Sequence, residues 1–290
     1  MIEYNGENIT IMLCSQCNNN CKHCYVKYSG RFSDEELNRI IPILNQKYSI
    51  HFNGTEPILF PEYFKYFKMV GNHRIITNGI EIIENPNIME KLKEYEINKI
   101  CMSYHFGIQD DISKISIKEL NGLIKELKHK GFVVELMCSL SNQNYQNVLD
   151  YCTEAKELGV NSIRFTNFIN QGNASSNFNN CDFLNQSQID YVLDKVDIAR
   201  NNISKESLCI NRCGTFGPHK NKTNFRCPAG LSKVVMTPDK KIYACVFDIS
   251  QESCIGYMDD DCRILVDETK LDYNKTYCKV LQKYNGVRRN

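Results

Sequence analysis

Strand-like and helix-like segments alternate along the first two thirds of this chain. Short runs of β-branched and apolar residues are each followed by a longer segment whose apolar residues recur at helical spacing. The pattern predicts strands over residues 8–14, 48–52, 74–77, 99–105, 132–140 and 162–168. Such alternation indicates the α/β class, with a parallel sheet and helices outside it.

Capping boxes mark where two of the helices begin. Ser33 and Ser116 are each followed three residues later by a glutamate whose side chain can reach back to the serine N–H. The first of these helices should run to about residue 47, with Pro42 kinking or shortening it. Further helices are predicted over residues 61–70, 87–96, 145–158 and 187–200. The spacing does not choose between an open doubly wound sheet and a partial barrel, but in both folds the chemistry lies at the C-terminal ends of the strands.

A group of cysteines follows the first predicted strand directly. Cys17, Cys21 and Cys24 stand in a C-x3-C-x2-C frame, and Tyr25 comes directly after it. Thiolates are the usual ligands of iron–sulfur clusters, so three of them can hold three irons of a [4Fe–4S] cluster and leave the fourth iron open. With Cys14 the run has four cysteines, which a closed zinc site or a ferredoxin cluster could also use. A zinc ribbon needs roughly 15–20 residues between its cysteine pairs, and a ferredoxin run has C-x2-C-x2-C and a later Pro.

The cysteine frame resembles the signature of the radical S-adenosylmethionine (SAM) enzymes. Further segments at predicted strand ends resemble motifs of that family, in the family's order. Gly54-Thr55-Glu56-Pro57 is similar to its Gly-Gly-Glu-Pro motif, with a threonine in place of the second glycine, and Thr77-Asn78-Gly79 is similar to its Thr-Asn-Gly motif. Gln171-Gly172-Asn173-Ala174 resembles a degenerate P-x-G-x-A motif of one subgroup. The resemblance covers about residues 9–175 and implies a partial (βα)6 TIM-like barrel.

The same resemblance implies the cofactor and its contacts. A [4Fe–4S] cluster would bind the three cysteines of the frame, and its open iron would bind SAM. Glu56 would accept hydrogen bonds from the SAM amino group, Ser103 would bond the ribose, and Arg164 would pair with the SAM carboxylate. The SAM contacts that the resemblance implies are Tyr25, Gly54, Thr55, Glu56, Asn78, Ser103 and Arg164. From the residues alone, Ser103 could instead be a buried hydroxyl with no role in SAM binding, and Arg164 could form a salt bridge at the rim. The catalytic residue is unknown.

From about residue 205 the alternation stops and cysteines become frequent. Without a visible secretory signal, such cysteines indicate metal or redox ligands rather than a disulfide scaffold. We therefore predict two domains, residues 1–204 for the barrel and residues 205–290 for a small cysteine-rich module. Seven of the chain's fifteen cysteines lie in the second domain, at Cys209, Cys213, Cys227, Cys245, Cys254, Cys262 and Cys278.

A hairpin is predicted inside the second domain. Residues 234–236 and 242–244 have the pattern of two strands joined by a Pro-Asp turn, which brings Cys227 near Cys245. The segment resembles the C-x-A-G…P-D-G…C opening of the SPASM and twitch extensions, with Lys240 in place of the turn glycine.

This second resemblance implies one auxiliary [4Fe–4S] cluster. Its ligands would be Cys227, Cys245 and Cys278, with Cys262 as the predicted fourth ligand and Cys254 or Cys213 as alternatives. The fourth ligand could also be absent, which would leave an iron open to substrate. A zinc knuckle is the alternative reading of this part of the chain.

The composition of the chain argues against nucleic acid and membranes as binding partners. The chain has 35 Lys and Arg residues against 34 Asp and Glu residues, so no long-range field favours nucleic acid or an anionic membrane. No apolar run approaches the ~18 residues of a membrane span, and no signal peptide is visible. We therefore predict a cytoplasmic protein.

The resemblance implies the reaction. SAM would be cleaved reductively to a 5′-deoxyadenosyl radical, with electrons from a flavodoxin- or ferredoxin-type donor, and the radical would abstract a hydrogen atom from the substrate. We predict a ribosomally made peptide as substrate, modified by a crosslink, an epimerisation or a side-chain oxidation. A radical SAM dehydrogenase of small, aminocyclitol-like molecules is the first alternative. A non-catalytic iron–sulfur or zinc binding module is the second.

Overall fold

The computed structural model describes residues 1–217, 227–273 and 277–287. The strands of these residues are β1 (Ile2–Glu3), β2 (Asn8–Met12), β3 (Ser49–Asn53), β4 (Arg74–Thr77), β5 (Lys99–Ser103), β6 (Val133–Leu140), β7 (Ser162–Asn167), β8 (Cys209–Arg212), β9 (Lys233–Met236), β10 (Lys241–Tyr243), β11 (Cys254–Met258) and β12 (Ile264–Val266). The helices are α1 (Asp34–Leu44), α2 (Phe64–Met69), α3 (Ile80–Glu84), α4 (Ile88–Glu94), α5 (Gln109–Ile112), α6 (Ile117–His129), α7 (Val148–Glu157), α8 (Ala174–Asn177), α9 (Gln186–Asn202) and α10 (Lys279–Asn285).

The six predicted strands are present as β2–β7, so the α/β class and the curled, half-barrel arrangement are confirmed. β4, β5, β6, β7 and β8 form a five-stranded parallel sheet in chain order. β8 extends this sheet beyond the six predicted strands. All of these strands present their C-terminal ends at the same edge of the sheet, because parallel neighbours run in the same direction.

β2 and β3 belong to a seven-stranded sheet with the order β1-β12-β11-β10-β9-β2-β3. β2 pairs in parallel with β3 on one side and with β9 on the other. The predicted hairpin is confirmed, since β9 and β10 pair antiparallel with Met236 opposite Ile242. Lys240 in its turn has φ +61, the left-handed conformation that a glycine adopts without strain. The hairpin therefore extends the sheet that carries the cysteine loop.

Helices cover the outer face of the parallel strands. α6 begins at the predicted capping box, in which the Ser116 Oγ accepts from the Glu119 N–H at 3.3 Å. Every second residue of β6 is buried, as expected for a strand with one face against helices. The core side of α6 is a stripe of four buried residues, Leu120, Leu123, Ile124 and Leu127.

Some predicted helices differ in detail from the structure. α1 contains Pro42 and ends at Leu44, earlier than the predicted residue 47. Residues 61–70 form a 3-10 turn, Pro61–Tyr63, before the short α2. Proline at the first helical position favours such a tight start, because it has no N–H to place.

Candidate functional site

The cysteine loop lies at the C-terminal end of β2, next to the segments that follow β3 and β4. The Leu13 N–H donates to the Asn53 carbonyl at 2.8 Å, and the Thr55 N–H donates to the Cys14 carbonyl at 2.9 Å. A Cβ added at Gly54 would lie 3.3 Å from both the carbonyl oxygen and the sulfur of Cys14, so glycine allows this close approach. Parallel pairing of β2 and β3 thus brings the predicted cysteine frame and the Gly54–Pro57 turn together, as the sequence predicts.

Cys17, Cys21 and Cys24 are electrostatic neighbours. Burial, and after it the charges of Cys24 and Cys17, raise the pKa of the Cys21 thiol to about 12. The Cys17 sulfur is exposed and accepts from the Asn19 N–H at 3.4 Å and from the Asn78 Nδ2 at 3.5 Å. Cys14 differs from these three, because it is fully buried in the main hydrophobic core.

Glu56 is a buried carboxyl beside this loop. It is 1% exposed, and its Oε2 accepts from the Asn78 N–H at 2.8 Å. Burial raises the pKa of Glu56 to about 8, against the lowering effect of hydrogen bonds from the Thr77 side chain and the Asn78 backbone. The carboxyl joins the end of β3 to the end of β4.

Asn78 connects the Thr-Asn-Gly segment to the cysteine loop. Its Nδ2 donates to the Asn18 Oδ1 at 2.9 Å, and its Oδ1 accepts from the Ile80 N–H at 2.8 Å. Gly79 follows with φ +90, and a Cβ there would lie 2.9 Å from the Leu123 side chain. The segment can therefore turn sharply from β4 into α3 while the Asn78 side-chain amide remains hydrogen-bonded to Asn18 of the cysteine loop.

Buried polar atoms without a hydrogen-bond partner surround the loop. Native proteins pair most such atoms, so several around one loop indicate that a polar ligand pairs them when bound. Among the described residues, the unpartnered atoms of this kind near the loop are Asn18 Nδ2, His23 Nδ1, Thr55 Oγ1, Glu56 Oε1 and Gln171 Oε1.

The donor set of the loop fits an iron–sulfur cluster. Three cysteines within eight residues supply thiolates, the ligand type that such clusters use. Within the part of the chain that the structure describes, no three His, Cys, Asp or Glu side chains are grouped as ligands of one metal ion. A cluster distributes its thiolates over separate irons, so its ligands stand further apart than the ligands of a single ion. The thiols and the unpartnered polar atoms together fit a cluster with a bound polar cofactor.

Ser103 and Arg164 lie in one row across the five-stranded sheet. Ser103 on β5 is paired with Met137 on β6, and Met137 is paired with Arg164 on β7. Side chains in one row of a parallel sheet point to the same face, here the face away from the helices. The Ser103 side chain is half-buried and Arg164 is exposed. Both therefore reach the inner face of the half-barrel, and their contacts with SAM stay a prediction.

His23, inside the cysteine frame, was not singled out by the sequence reasoning. Its ring lies edge-on to His105 with the centroids 4.4 Å apart, and it stacks on Phe168 at 5.0 Å. Burial lowers the pKa of His23 to about 4, so its ring is neutral at pH 7. Its position directly before the third cysteine is the signal that could have drawn attention to it.

A second group of cysteines comes together from distant parts of the chain. Burial above all raises the pKa of Cys245 to about 12, against a lowering backbone hydrogen bond from Phe247, and the smaller raising contributions come from Cys278, Cys213 and Cys227. Cys278 likewise has Cys227 and Cys213 as electrostatic neighbours. Cys213 follows β8 directly, and its N–H donates to the Phe165 carbonyl at 2.8 Å. This arrangement favours Cys213, one of the two alternatives, as the fourth member.

Cys262, the predicted fourth ligand, is placed elsewhere. It lies in the turn between β11 and β12 with φ +61, and its N–H donates to the Asp259 carbonyl at 3.0 Å. Its side chain is buried in the main hydrophobic core. Cys254 lies on β11, where its thiol donates to the Gly256 carbonyl at 3.2 Å.

Tyr25 lies between the two cysteine groups. Its ring packs on Phe247 with the centroids 4.8 Å apart. Burial raises the pKa of its hydroxyl, and its further electrostatic neighbours include Cys24 of the first group and Cys245 of the second. The residue that was predicted to contact SAM therefore also joins the cysteine loop to the segment after β10.

Solved structures with this fold are known. The structure of Streptococcus suis SuiB bound to its precursor peptide SuiA superposes with a TM-score of 0.67 at 12% sequence identity, over 84% of this chain and 61% of SuiB. The structure of anSMEcpe with bound AdoMet superposes with a TM-score of 0.64 at 17% identity, over 93% of this chain and 78% of that chain. A further anSMEcpe structure, with AdoMet and the Cp18Cys peptide, gives 0.63 at 17% identity over 93% and 81%.

These structures are radical SAM enzymes, so this chain has the fold of that class, as the sequence predicts. The chain spans about three fifths of the length of SuiB. No family model and no curated protein matches the sequence. In the described residues, no helix has both the length and the apolar character that crossing a membrane requires.

Proposed function

We propose that this chain is a radical SAM enzyme whose Cys17, Cys21 and Cys24 hold a [4Fe–4S] cluster. The observation that carries the proposal is the group of unpartnered buried polar atoms in and beside a three-cysteine loop at the C-terminal end of β2. When bound, a cluster with one open iron supplies the electron that cleaves SAM to a 5′-deoxyadenosyl radical.

The chain's own residues orient SAM. Glu56 offers the Oε1 atom, which has no partner among the described residues, to the amino group of SAM. Ser103 and Arg164 reach the same inner face, where a hydroxyl suits the ribose and a guanidinium suits the carboxylate. The Gly54 and Thr55 backbone would border the methionine part of SAM. Asn78 fixes the loop through its bonds to Asn18 and Cys17.

The test of SAM cleavage is anaerobic reconstitution followed by reduction in the presence of SAM. We expect 5′-deoxyadenosine from the wild type and from the control Cys181→Ala, which removes an exposed thiol that belongs to neither proposed cluster. Cys21→Ala should abolish the product, since a cluster with two protein ligands is not held. Product formation by Cys21→Ala would contradict the assignment, and no product from the wild type would favour the non-catalytic binding module.

We infer that the second cysteine group holds one auxiliary [4Fe–4S] cluster in a twitch-like module. Cys245 has Cys213, Cys227 and Cys278 as electrostatic neighbours, Cys278 has Cys227 and Cys213, and four thiolates complete such a cluster. Tyr25 and Phe247 stand between the two groups. A full set of four protein ligands favours an electron-transfer role for this cluster over direct binding of substrate.

We propose a peptide as the substrate. SuiB was crystallised with a precursor peptide and anSMEcpe with the Cp18Cys peptide, which supports this substrate class for the shared fold. The test incubates the reconstituted enzyme, SAM and a flavodoxin- or ferredoxin-type donor with a candidate precursor peptide and follows its mass. Loss of two hydrogens, or unchanged mass with uptake of deuterium, supports the proposal. Turnover of a cyclitol-like alcohol instead of the peptide would favour the small-molecule dehydrogenase.

A further inference from the structure

The segment that follows β7 lies against the backbone of the cysteine loop. The Gln171 Nε2 donates to the Tyr25 carbonyl at 3.0 Å, and the Ala174 N–H donates to the Cys24 carbonyl at 3.4 Å. The Asn173 Nδ2 donates to the Cys21 carbonyl at 3.1 Å. Three carbonyls of the loop, two of them on predicted cluster ligands, are therefore held by one short segment from another part of the chain.

Two more amide contacts complete this arrangement. The Asn173 Nδ2 is also 2.9 Å from the Asn20 Oδ1, and the Asn177 Nδ2 donates to the Lys22 carbonyl at 3.4 Å. The loop between β2 and α1 has no helix or strand of its own to pair these carbonyls. A loop of this kind keeps one conformation only when other groups satisfy its backbone. Residues 171–177, here called the clamp segment, supply those groups.

Gly172 shows how close the clamp segment comes to the loop. Its φ is +62, and an added Cβ would lie 2.5 Å from the Cys24 carbonyl oxygen and 2.8 Å from the Tyr25 carbonyl carbon. Atoms of the backbone cannot give way to that extent, so glycine is the residue that fits. Gln171 is buried, and its Oε1 has no partner among the described residues.

We propose that the clamp segment is a positioning device for the N-terminal cluster, with Gly172 and Asn173 as its main residues. It holds the backbone between Cys21 and Cys24 in the conformation that binds iron. Groups that orient metal ligands from outside the coordination sphere typically contribute about 10–100-fold to metal affinity. The inference rests on the proposed function, because it assigns these cysteines to a cluster.

The main test compares two glycine substitutions. Gly172→Ala places a methyl group on the Cys24 carbonyl, whereas Gly159→Ala has a similar φ of +69 with nothing within 4 Å of the added Cβ. Reconstituted proteins are exposed to an iron chelator, and the SAM-responsive low-temperature EPR signal is followed with time. We expect Gly172→Ala to lose this signal about tenfold faster than the wild type. Gly159→Ala should lose it at the wild-type rate.

A second pair of variants tests the same inference if Gly172→Ala does not fold. Asn173→Ala removes two contacts to the loop, whereas Asn170→Ala removes an amide that bonds Asn180 instead. We expect faster loss of the SAM-responsive signal in Asn173→Ala alone, with the signal of the second cluster unchanged in both. A general loss of stability would release iron from both clusters, so this difference separates positioning from folding.

The outcomes are distinct. Loss of the signal at the wild-type rate in both Gly172→Ala and Asn173→Ala overturns the inference and leaves the proposed function intact. A wild-type protein that binds iron but shows no SAM-responsive signal overturns the proposed function and the inference with it.

Discussion

At the scale of single residues, the structure favours one cysteine over another as the fourth ligand of the auxiliary cluster. Cys213 is an electrostatic neighbour of Cys245 and Cys278, whereas Cys262 is buried in the main core. We expect Cys213→Ala to lower the iron content below the about eight irons of two four-iron clusters, because three thiolates hold the second cluster less firmly than four. Cys262→Ala should keep about eight irons. Iron and protein are assayed in the same reconstituted samples.

The two variants control each other, because each removes one thiol from the same part of the chain. An iron content that falls in Cys262→Ala and not in Cys213→Ala would restore the assignment predicted from sequence. Sequence reasoning could name Cys227, Cys245 and Cys278 from the hairpin resemblance. It could not choose among the remaining thiols, because Cys213 reaches the group only through the pairing of β8 with β7.

Glu56 makes stability depend on pH in a defined direction. Burial raises its pKa to about 8, whereas a glutamate in an unfolded chain has a pKa of about 4.3. The protonated carboxyl is therefore favoured by folding, and this contribution is complete below the unfolded value and is lost as the pH rises through the folded value. We expect the free energy of unfolding of the metal-free protein to fall more steeply from about pH 5 to about pH 8 in the wild type than in Glu56→Gln.

Urea unfolding at several pH values measures this difference. Glu84→Gln serves as the control, since it removes the same charge from an exposed position on the neighbouring α3 and should keep the wild-type slope. Equal slopes in the wild type and Glu56→Gln would show that Glu56 ionises in the folded protein as it does in the unfolded chain.

At the scale of elements, long periodic segments were predictable and short mixed ones were not. β2–β7 each carry several β-branched or apolar residues, and α6 shows both a capping box and an apolar stripe. β8 reads Cys-Ile-Asn-Arg and has one strongly apolar residue, so its alternation is too short to detect. β1 and β12 are likewise two and three residues long; β1 pairs with β12, and β12 pairs with both β1 and β11.

Gly256 is the residue on which the packing of β11 against β12 depends. A Cβ there would lie 1.9 Å from the Leu265 carbonyl oxygen, which is backbone of the neighbouring strand. We expect Gly256→Ala to lower the free energy of unfolding by about 3 kcal/mol or more, because the strands must separate to admit the methyl group. Thermal and urea unfolding measure the change.

Gly122→Ala is the matched control for this substitution. Gly122 is exposed inside α6, and an added Cβ has nothing within 4 Å. Alanine in an exposed helix interior is more favourable than glycine by about 1 kcal/mol, so Gly122→Ala should stabilise the protein. Similar effects of the two substitutions would show that the β11–β12 contact is looser than the structure describes.

At the scale of the whole molecule, β9–β12 complete the sheet that carries the cysteine loop. β9 pairs with β2 from Asn8 to Ile11, and the Tyr4 N–H donates to the Ile264 carbonyl at 2.8 Å. Residues before and after position 205 share one hydrophobic cluster, which includes Ile9, Ile11, Val234, Met236 and Ile264. Residues on both sides of position 205 therefore contribute to one continuous core, and the division into domains of residues 1–204 and 205–290 stays a prediction.

This continuity predicts the behaviour of the isolated first region. A chain of residues 1–204 lacks β8–β12, which leaves the β2 edge unpaired and uncovers apolar surface that is buried in the full chain. Unpaired sheet edges and exposed apolar patches favour association over folding. We expect residues 1–204 to bind a hydrophobic dye, to be cleaved rapidly by protease and to show no cooperative urea transition. The full chain is the control, and a single cooperative transition in residues 1–204 would establish them as an independent domain.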